Sequence, residues 1–182
     1  MSTYNLRARA YDTIVLGGFT AGVLDIADAF IVTTINGGTP TRVLQAIASG
    51  LLGRAAYQGG APVAALGLAL HFLIAFGAAS VFFLISRALP AVLRHAVASG
   101  LTFGLGVWAV MYYAVLPITF NRPNVLPAWP LLLNQLGIHA LGVGLPIALL
   151  ALRSARAVYV ASFGPMPIAT GGSSRKATAS LR

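Results

Sequence analysis

Two aspartates and two histidines stand inside otherwise apolar stretches of this chain. Asp25 and Asp28 fall in the segment LDIADAF, within an apolar run over residues 13–35. His71 and His139 each lie well inside a later run of the same kind. Carboxylates and imidazoles together titrate near neutral pH and offer oxygen and nitrogen ligands to a metal. These residue types therefore indicate proton or cation handling, provided that the fold brings them together.

The composition predicts a membrane protein. Hydrophobic residues make up 58% of the chain and charged residues only 8%, whereas soluble domains carry about 25% charged residues. A helix of about 20 residues crosses a hydrocarbon core. Strand-like alternation is absent, and helices satisfy their own backbone in lipid. We therefore expect an all-α polytopic protein in one domain over residues 1–162, with transmembrane helices at about 13–35, 62–86, 96–117 and 131–152.

The distribution of positive charge predicts the orientation. The chain has a net charge of +9 and 12 Lys and Arg residues. Nine of them lie on the side of the two termini, and the other three fall in the two opposite loops. By the positive-inside rule, this distribution predicts that both termini face the cytoplasm. No basic stripe alternates with aromatic residues, so a nucleic-acid partner is not expected. The three on the opposite side are Arg42, Arg54 and Arg122.

The first outer loop contains a pattern typical of a short amphipathic helix over residues 40–55. Thr39 is a suitable N-cap and Pro40 a suitable first residue. Apolar residues recur at helical spacing and polar residues fall beside them, so we expect the helix to lie in the interface or over the bundle. The tail, residues 163–182, is predicted to be basic and disordered. The apolar set is Val43, Leu44, Ile47, Leu51 and Ala55, and the polar set is Arg42, Gln45, Ser49 and Arg54.

Depth estimates place the ionisable side chains close together. At 1.5 Å per residue, Asp25 lies near the middle of the membrane. Asp28, His71 and His139 come to about 10–14 Å from one surface. Gly and Ala share their helix faces, which marks helix–helix contacts in lipid. We therefore predict a buried Asp/His cluster, with Asn134, Gln135, Tyr112 and Tyr113 as supporting residues on its outer side.

Three interpretations of this cluster remain open. Ionisable groups inside a membrane usually mark a site or a pathway, so proton or cation handling ranks first. The same residues can instead serve packing, as hydrogen-bonding groups in a structural or accessory subunit. A b-type haem between His71 and His139 is the third interpretation. The candidate ligands of a divalent metal are Asp28, His71 and His139, although we expect neither metal nor haem to be held.

Motifs of soluble catalysis are absent. The sequence has no HExxH, GxSxG, P-loop or dinucleotide-binding motif. Cysteine and glutamate are both absent as well, which excludes a cysteine nucleophile and thiolate metal sites. We therefore do not expect an enzyme. Four short helices bury little surface alone, so a homo-oligomer or a larger membrane complex is predicted.

A resemblance adds a cellular location. The segment TPTRVLQAIASGLLGRAAYQGGAPVAALGLALHFLIAFGAASVFFLISR, with GGFTAGVLDIADAF upstream, resembles a group of small uncharacterised bacterial inner-membrane proteins with four spans. The resemblance covers the first two spans and the amphipathic segment between them. It implies a multi-pass protein of the bacterial inner membrane. It assigns no activity and no functional residue.

Overall fold

The computed structural model describes residues 6–120 and 126–164, and over that range the chain is helical without a strand. A short 3₁₀ turn, Gly53–Gln58, and a single helical turn, Ala91–Arg94, lie between longer helices. The predicted tail falls outside the described residues from 165 onward. The five helices are α1 (Tyr11–Ile35), α2 (Pro40–Leu52), α3 (Gly60–Ala88), α4 (Ala96–Thr119) and α5 (Trp129–Phe163).

Four of the helices, α1, α3, α4 and α5, are long and apolar enough to cross a membrane, which confirms the predicted all-α polytopic fold. The largest difference from the predicted spans is at the end of α5, which continues beyond 152 to Phe163. The added residues, 153–163, include three alanines and two arginines, which favour helix. Gly164 then ends the helix with a φ of 81°. With 35 residues, α5 is about 50 Å long and exceeds the hydrocarbon thickness.

Helix α1 lies between α3 and α5 and is antiparallel to both. On the α3 side, Gly18 and Gly22 face the rings of Phe76 and Phe72. On the α5 side, Gly17 faces the backbone of Ile147. Small residues on α1 thus let both neighbours approach closely, as expected of helix contacts in lipid.

Helices α4 and α5 make backbone contact. A Cβ on Gly104 would collide with the carbonyl of His139, and a Cβ on Gly144 would collide with the carbonyl of Gly100. Small residues on both helices thus let the two backbones approach closely, as expected of helix contacts in lipid. Helices α3 and α4 meet where Phe82 and Phe103 pack edge to face, with ring centroids 5.1 Å apart.

Helix α2 begins where the sequence predicts it and ends at Leu52, before the predicted end at residue 55, because Gly53 takes a φ of 63° and a 3₁₀ turn follows. Thr39 accepts a hydrogen bond from the Arg42 amide at 3.3 Å, and Pro40 is the first helical residue. The buried side of α2 includes Gln45 and Ser49, whereas Leu51 is 67% exposed. The helix thus turns polar side chains toward the protein and an apolar one away from it.

The contact of α2 with α3 lies well below the end of the bundle at which α3 begins. The carbonyl of Leu44 occupies the space that a Cβ on Gly67 would fill. Gly67 is seven residues after Gly60, about 10 Å along α3. Because α1 and α3 are antiparallel with His71 opposite Gly22, Gly67 is level with the segment between Asp25 and Asp28. Helix α2 therefore packs beside the bundle at that depth.

Candidate functional site

An aspartate and a histidine from two different spans face each other across the α1–α5 contact. Asp25 Oδ1 lies 4.0 Å from Nδ1 of His139. The side chains are 26% and 18% exposed, respectively. At this separation a carboxylate and an imidazolium attract each other strongly wherever water is scarce. Asp25 and His139 are hereafter called the Asp–His pair.

The local helix geometry of α5 positions the His139 ring. Residues Ile138–Gly144 have the wider turns of a π-helix, which often occur at functional sites. Nδ1 of His139 lies 2.9 Å from the carbonyl oxygen of Gln135, one turn earlier. Because a carbonyl only accepts, Nδ1 carries the hydrogen in this bond. Nε2 has no hydrogen-bond partner among residues 6–120 and 126–164, so it is the ring atom that is able to take up a proton.

The second aspartate is held by an amide. Asn134 Nδ2 donates to Asp28 Oδ2 at 2.8 Å. With the Asp–His pair and the contact of Gly17 with Ile147, this bond gives α1 and α5 three cross-links along one antiparallel register. Asp28 therefore has a direct partner that satisfies one carboxyl oxygen, whereas the contact of Asp25 with His139 is longer.

The other intramembrane histidine bonds to a backbone group. His71 Nε2 donates to the carbonyl oxygen of Gly22 at 2.9 Å, linking α3 to α1. Gly22 lies three residues before Asp25, about 4.5 Å along the helix toward the N-terminal end. The ring also packs edge to face against Phe72, with centroids 5.5 Å apart. The predicted four-residue cluster thus divides into the Asp–His pair, the Asp28–Asn134 bond and the His71 cross-link.

Two of the supporting residues, Tyr112 and Tyr113, belong to an aromatic group on α4. Trp108 stacks on Tyr112 with ring centroids 5.2 Å apart, and Tyr113 meets both rings edge to face. Trp108 Nε1 lies 3.4 Å from Oε1 of Gln135, the residue whose carbonyl binds the His139 ring. Trp108 was not among the predicted site residues. Gly100, Gly104 and Trp108 are four residues apart on the same helix, so all three lie on the α4 face that meets α5.

Metal and haem binding remain predictions. In the part of the chain that the structure describes, no three His, Asp or Glu side chains come together as a metal site would require. The two imidazoles proposed as haem ligands each use one nitrogen on a backbone carbonyl, Gly22 for His71 and Gln135 for His139. Absorption spectra of oxidised and reduced protein would test the haem interpretation directly.

Comparison with known proteins does not place the chain in a family. No family model matches the chain, and neither curated proteins nor solved structures give a match. The functional argument therefore depends on the geometry of the site alone.

Proposed function

We propose that this multi-pass protein of the bacterial inner membrane binds and releases a proton at the Asp–His pair, in the handling of protons or a cation across the membrane. The observation that carries the proposal is the 4.0 Å separation of Asp25 Oδ1 and His139 Nδ1 between two membrane-spanning helices. In residues 6–120 and 126–164, this is the contact in which a carboxyl group and an imidazole face each other.

Charge balance supports one proton per pair. With Asp25 ionised and His139 neutral, the pair carries a net negative charge, which is costly within a membrane span. A proton on Nε2 of His139 turns the pair into a neutral ion pair, and a proton on Asp25 leaves two neutral groups. In either form, uptake of one proton removes the net charge. Proton binding therefore changes the electrostatic attraction between α1 and α5.

The surrounding bonds keep the pair in place. The Asp28–Asn134 hydrogen bond fixes the α1–α5 register next to the pair. The contact of Gly104 with the His139 carbonyl fixes the backbone of α5 at the same level. The pair is thus held from both neighbouring helices while the His139 ring keeps one nitrogen available.

The first test measures how the stability of the protein depends on pH, with and without the Asp–His pair. We expect the unfolding temperature of the detergent-purified protein to depend on pH between about 5 and 8, where histidines titrate. Asp25→Asn and His139→Gln should each flatten that dependence, because either change removes half of the pair. Asp12→Asn is the matched control, since it makes the same chemical change at the start of α1, away from the pair.

Proteoliposomes then test the transport part of the proposal. Proton entry driven by an imposed potential, followed with an internal pH-sensitive dye, should be present in the wild type and the Asp12→Asn control. It should be lost in Asp25→Asn. A folded Asp25→Asn protein whose pH dependence and proton entry equal those of the wild type would overturn the proposal.

A structural or accessory subunit is the second candidate, and one observation favours it. Asp28 and His71 both make direct interhelical hydrogen bonds, to Asn134 and to the Gly22 carbonyl. Polar groups used in this way stabilise helix packing without any transport. A stable complex with another protein on gentle extraction, together with a silent Asp25→Asn substitution, would support this candidate. A homogeneous assembly of copies of this chain would count against it.

A further inference from the structure

Helix α2 carries two polar side chains on the face that packs against the protein. Gln45 and Ser49 are only 6% and 8% exposed, respectively, whereas Leu51 and Leu52 of the same helix are exposed. An amphipathic helix lying on the membrane surface turns its polar side chains to water instead. Gln45 and Ser49, hereafter called the polar face of α2, are therefore directed at the neighbouring spans.

The side-chain amide of Gln45 has no protein partner. It makes no hydrogen bond to residues 6–120 or 126–164, and neither of its polar atoms is sealed off from solvent. An amide offers two donors and two acceptor sites, and leaving them unused inside a membrane is costly. Ser49 Oγ donates to the carbonyl of Ala46 at 2.7 Å, so its oxygen is still able to accept. Both side chains thus suit water, the usual partner of buried polar groups that the protein leaves unmatched.

Gln45 lies at the depth of the two aspartates. It follows Leu44, whose carbonyl occupies the space of a Cβ on Gly67, and Gly67 is level with the aspartates of α1. Ser49 follows one turn later, about 6 Å along α2, in the direction of the turn Gly53–Gln58 that leads back to the start of α3. The polar face therefore extends from the level of the aspartates toward the end of the bundle at which α3 begins.

Helix α2 stands between α3 and α4 at this end of the bundle. The contact of Phe82 with Phe103 joins α3 and α4 far from it, because Phe82 is 22 residues after Gly60, about 33 Å along α3. Near the start of α3, α2 contacts α3, α1 and the last turn of α4, from Leu116 onward. Helix α2 thus covers the bundle between these spans and touches the helix that carries both aspartates.

His71 marks the corner where α1, α2 and α3 meet. It lies one turn after Gly67 and so shares the α3 face that meets α2, while its Nε2 donates to the Gly22 carbonyl of α1. Gly22 is three residues before Asp25, whose side chain is 26% exposed. The corner beneath the polar face of α2 is therefore next to Asp25.

We infer that the polar face of α2 lines the water-filled path by which protons reach the Asp–His pair from the end of the bundle at which α3 begins. Gln45 holds water at the level of the pair, and Ser49 continues the path toward the surface. The inference rests on the proposed function, because it names the route to the same site.

Cysteine labelling in nanodiscs tests whether water reaches Gln45, since the chain has no cysteine of its own. A small cationic methanethiosulfonate reagent should react with Gln45→Cys. Ala27→Cys is the matched control, because Ala27 is exposed on the lipid side of α1 at the same depth. Its rate should be about a hundredfold lower, since a charged reagent enters hydrocarbon only at high cost. Equal rates at the two positions, or no reaction at position 45, would overturn the inference. Should Gln45→Cys not fold, Ser49→Cys decides in its place.

Proton entry separates this inference from the proposed function. Gln45→Leu should lower proton entry into proteoliposomes toward the level of Asp25→Asn. It should keep the pH dependence of the unfolding temperature, because the Asp–His pair is unchanged. Gln58→Leu makes the same change in the exposed turn after α2 and should leave both properties as in the wild type. Entry through Gln45→Leu at the wild-type rate would overturn the inference and leave the proposed function standing. Absence of entry in the wild type would overturn the proposed function, and the inference with it.

Discussion

At the residue scale, the two aspartates of α1 differ in what holds them. Asp28 receives a 2.8 Å hydrogen bond from the Asn134 amide. Asp25 faces an imidazole at 4.0 Å, and that imidazole is already bonded to a backbone carbonyl. A short bond to an amide stabilises the contact in either protonation state of the carboxyl group, since an amide both donates and accepts. The longer contact with an imidazole depends on charge. The hydrogen bond of Asp28 therefore suits helix packing, whereas the contact of Asp25 with His139 is electrostatic.

The hydrogen bond to Asn134 predicts that two substitutions of Asp28 differ in their effect on the free energy of unfolding. Asp28→Asn keeps an oxygen that accepts from Asn134, so the free energy of unfolding should change little. Asp28→Leu removes the acceptor and should lower it by about 1 kcal/mol, the scale of interhelical hydrogen bonds in membranes. Denaturant titration in mixed micelles measures both values. Equal losses in the two variants would mean that the charge of Asp28, rather than its hydrogen bond, is the stabilising feature.

At the element scale, glycines decide how closely the helices approach. The carbonyl of His139 occupies the space of a Cβ on Gly104, so α4 sets the position of the π-helical segment that carries the His139 ring. Gly67 does the same for α2, which contacts α3 through the Leu44 backbone. Two glycines thus place the helices around the polar side chains of α1.

Adding one methyl group to α4 should therefore separate α4 from α5. Gly104→Ala introduces a Cβ against backbone, which cannot rearrange as a side chain does, so we expect a loss of about 1–3 kcal/mol in the free energy of unfolding. Gly106→Ala is the matched control on the same helix, because a Cβ there meets nothing within 4 Å. Alanine also favours helix over glycine, so the control should be neutral or slightly stabilising.

If Gly104→Ala is as stable as Gly106→Ala, the close α4–α5 contact does not hold the bundle together. In that case the position of His139 must depend on its contacts with α1 alone.

At the scale of the whole molecule, the helices make an asymmetric assembly. Helix α1 contacts both α3 and α5, and α2 packs beside α3 at the depth of the aspartates. The two ends also differ, since the end that carries Arg7, Arg9, Arg153 and Arg156 is much richer in positive charge than the opposite one. This difference predicts a single orientation in the membrane.

Single cysteines test that orientation, because the chain has none of its own. Ala55→Cys lies in the exposed turn after α2, and Ser162→Cys lies in the exposed last turn of α5. A membrane-impermeant maleimide applied to intact bacterial cells should label Ala55→Cys and leave Ser162→Cys unlabelled until the cells are opened. Labelling of Ser162→Cys in intact cells would show the reverse orientation.

The sequence by itself determined the fold class, the four spans and the site of α2. Length, apolar composition and the Thr39–Pro40 start signal are local properties, and a helix in lipid satisfies its own backbone without reference to its neighbours. Helical spacing also indicated that the aspartates share faces with small residues.

The tertiary structure alone decided the partners: Asp25 with His139, Asp28 with Asn134, and His71 with the Gly22 carbonyl. It also decided that Gln45 and Ser49 of α2 face inward. Partner choice depends on the register and rotation of one helix against another, and these are set by close contacts at glycines far apart in the chain, which periodicity within a single helix does not encode.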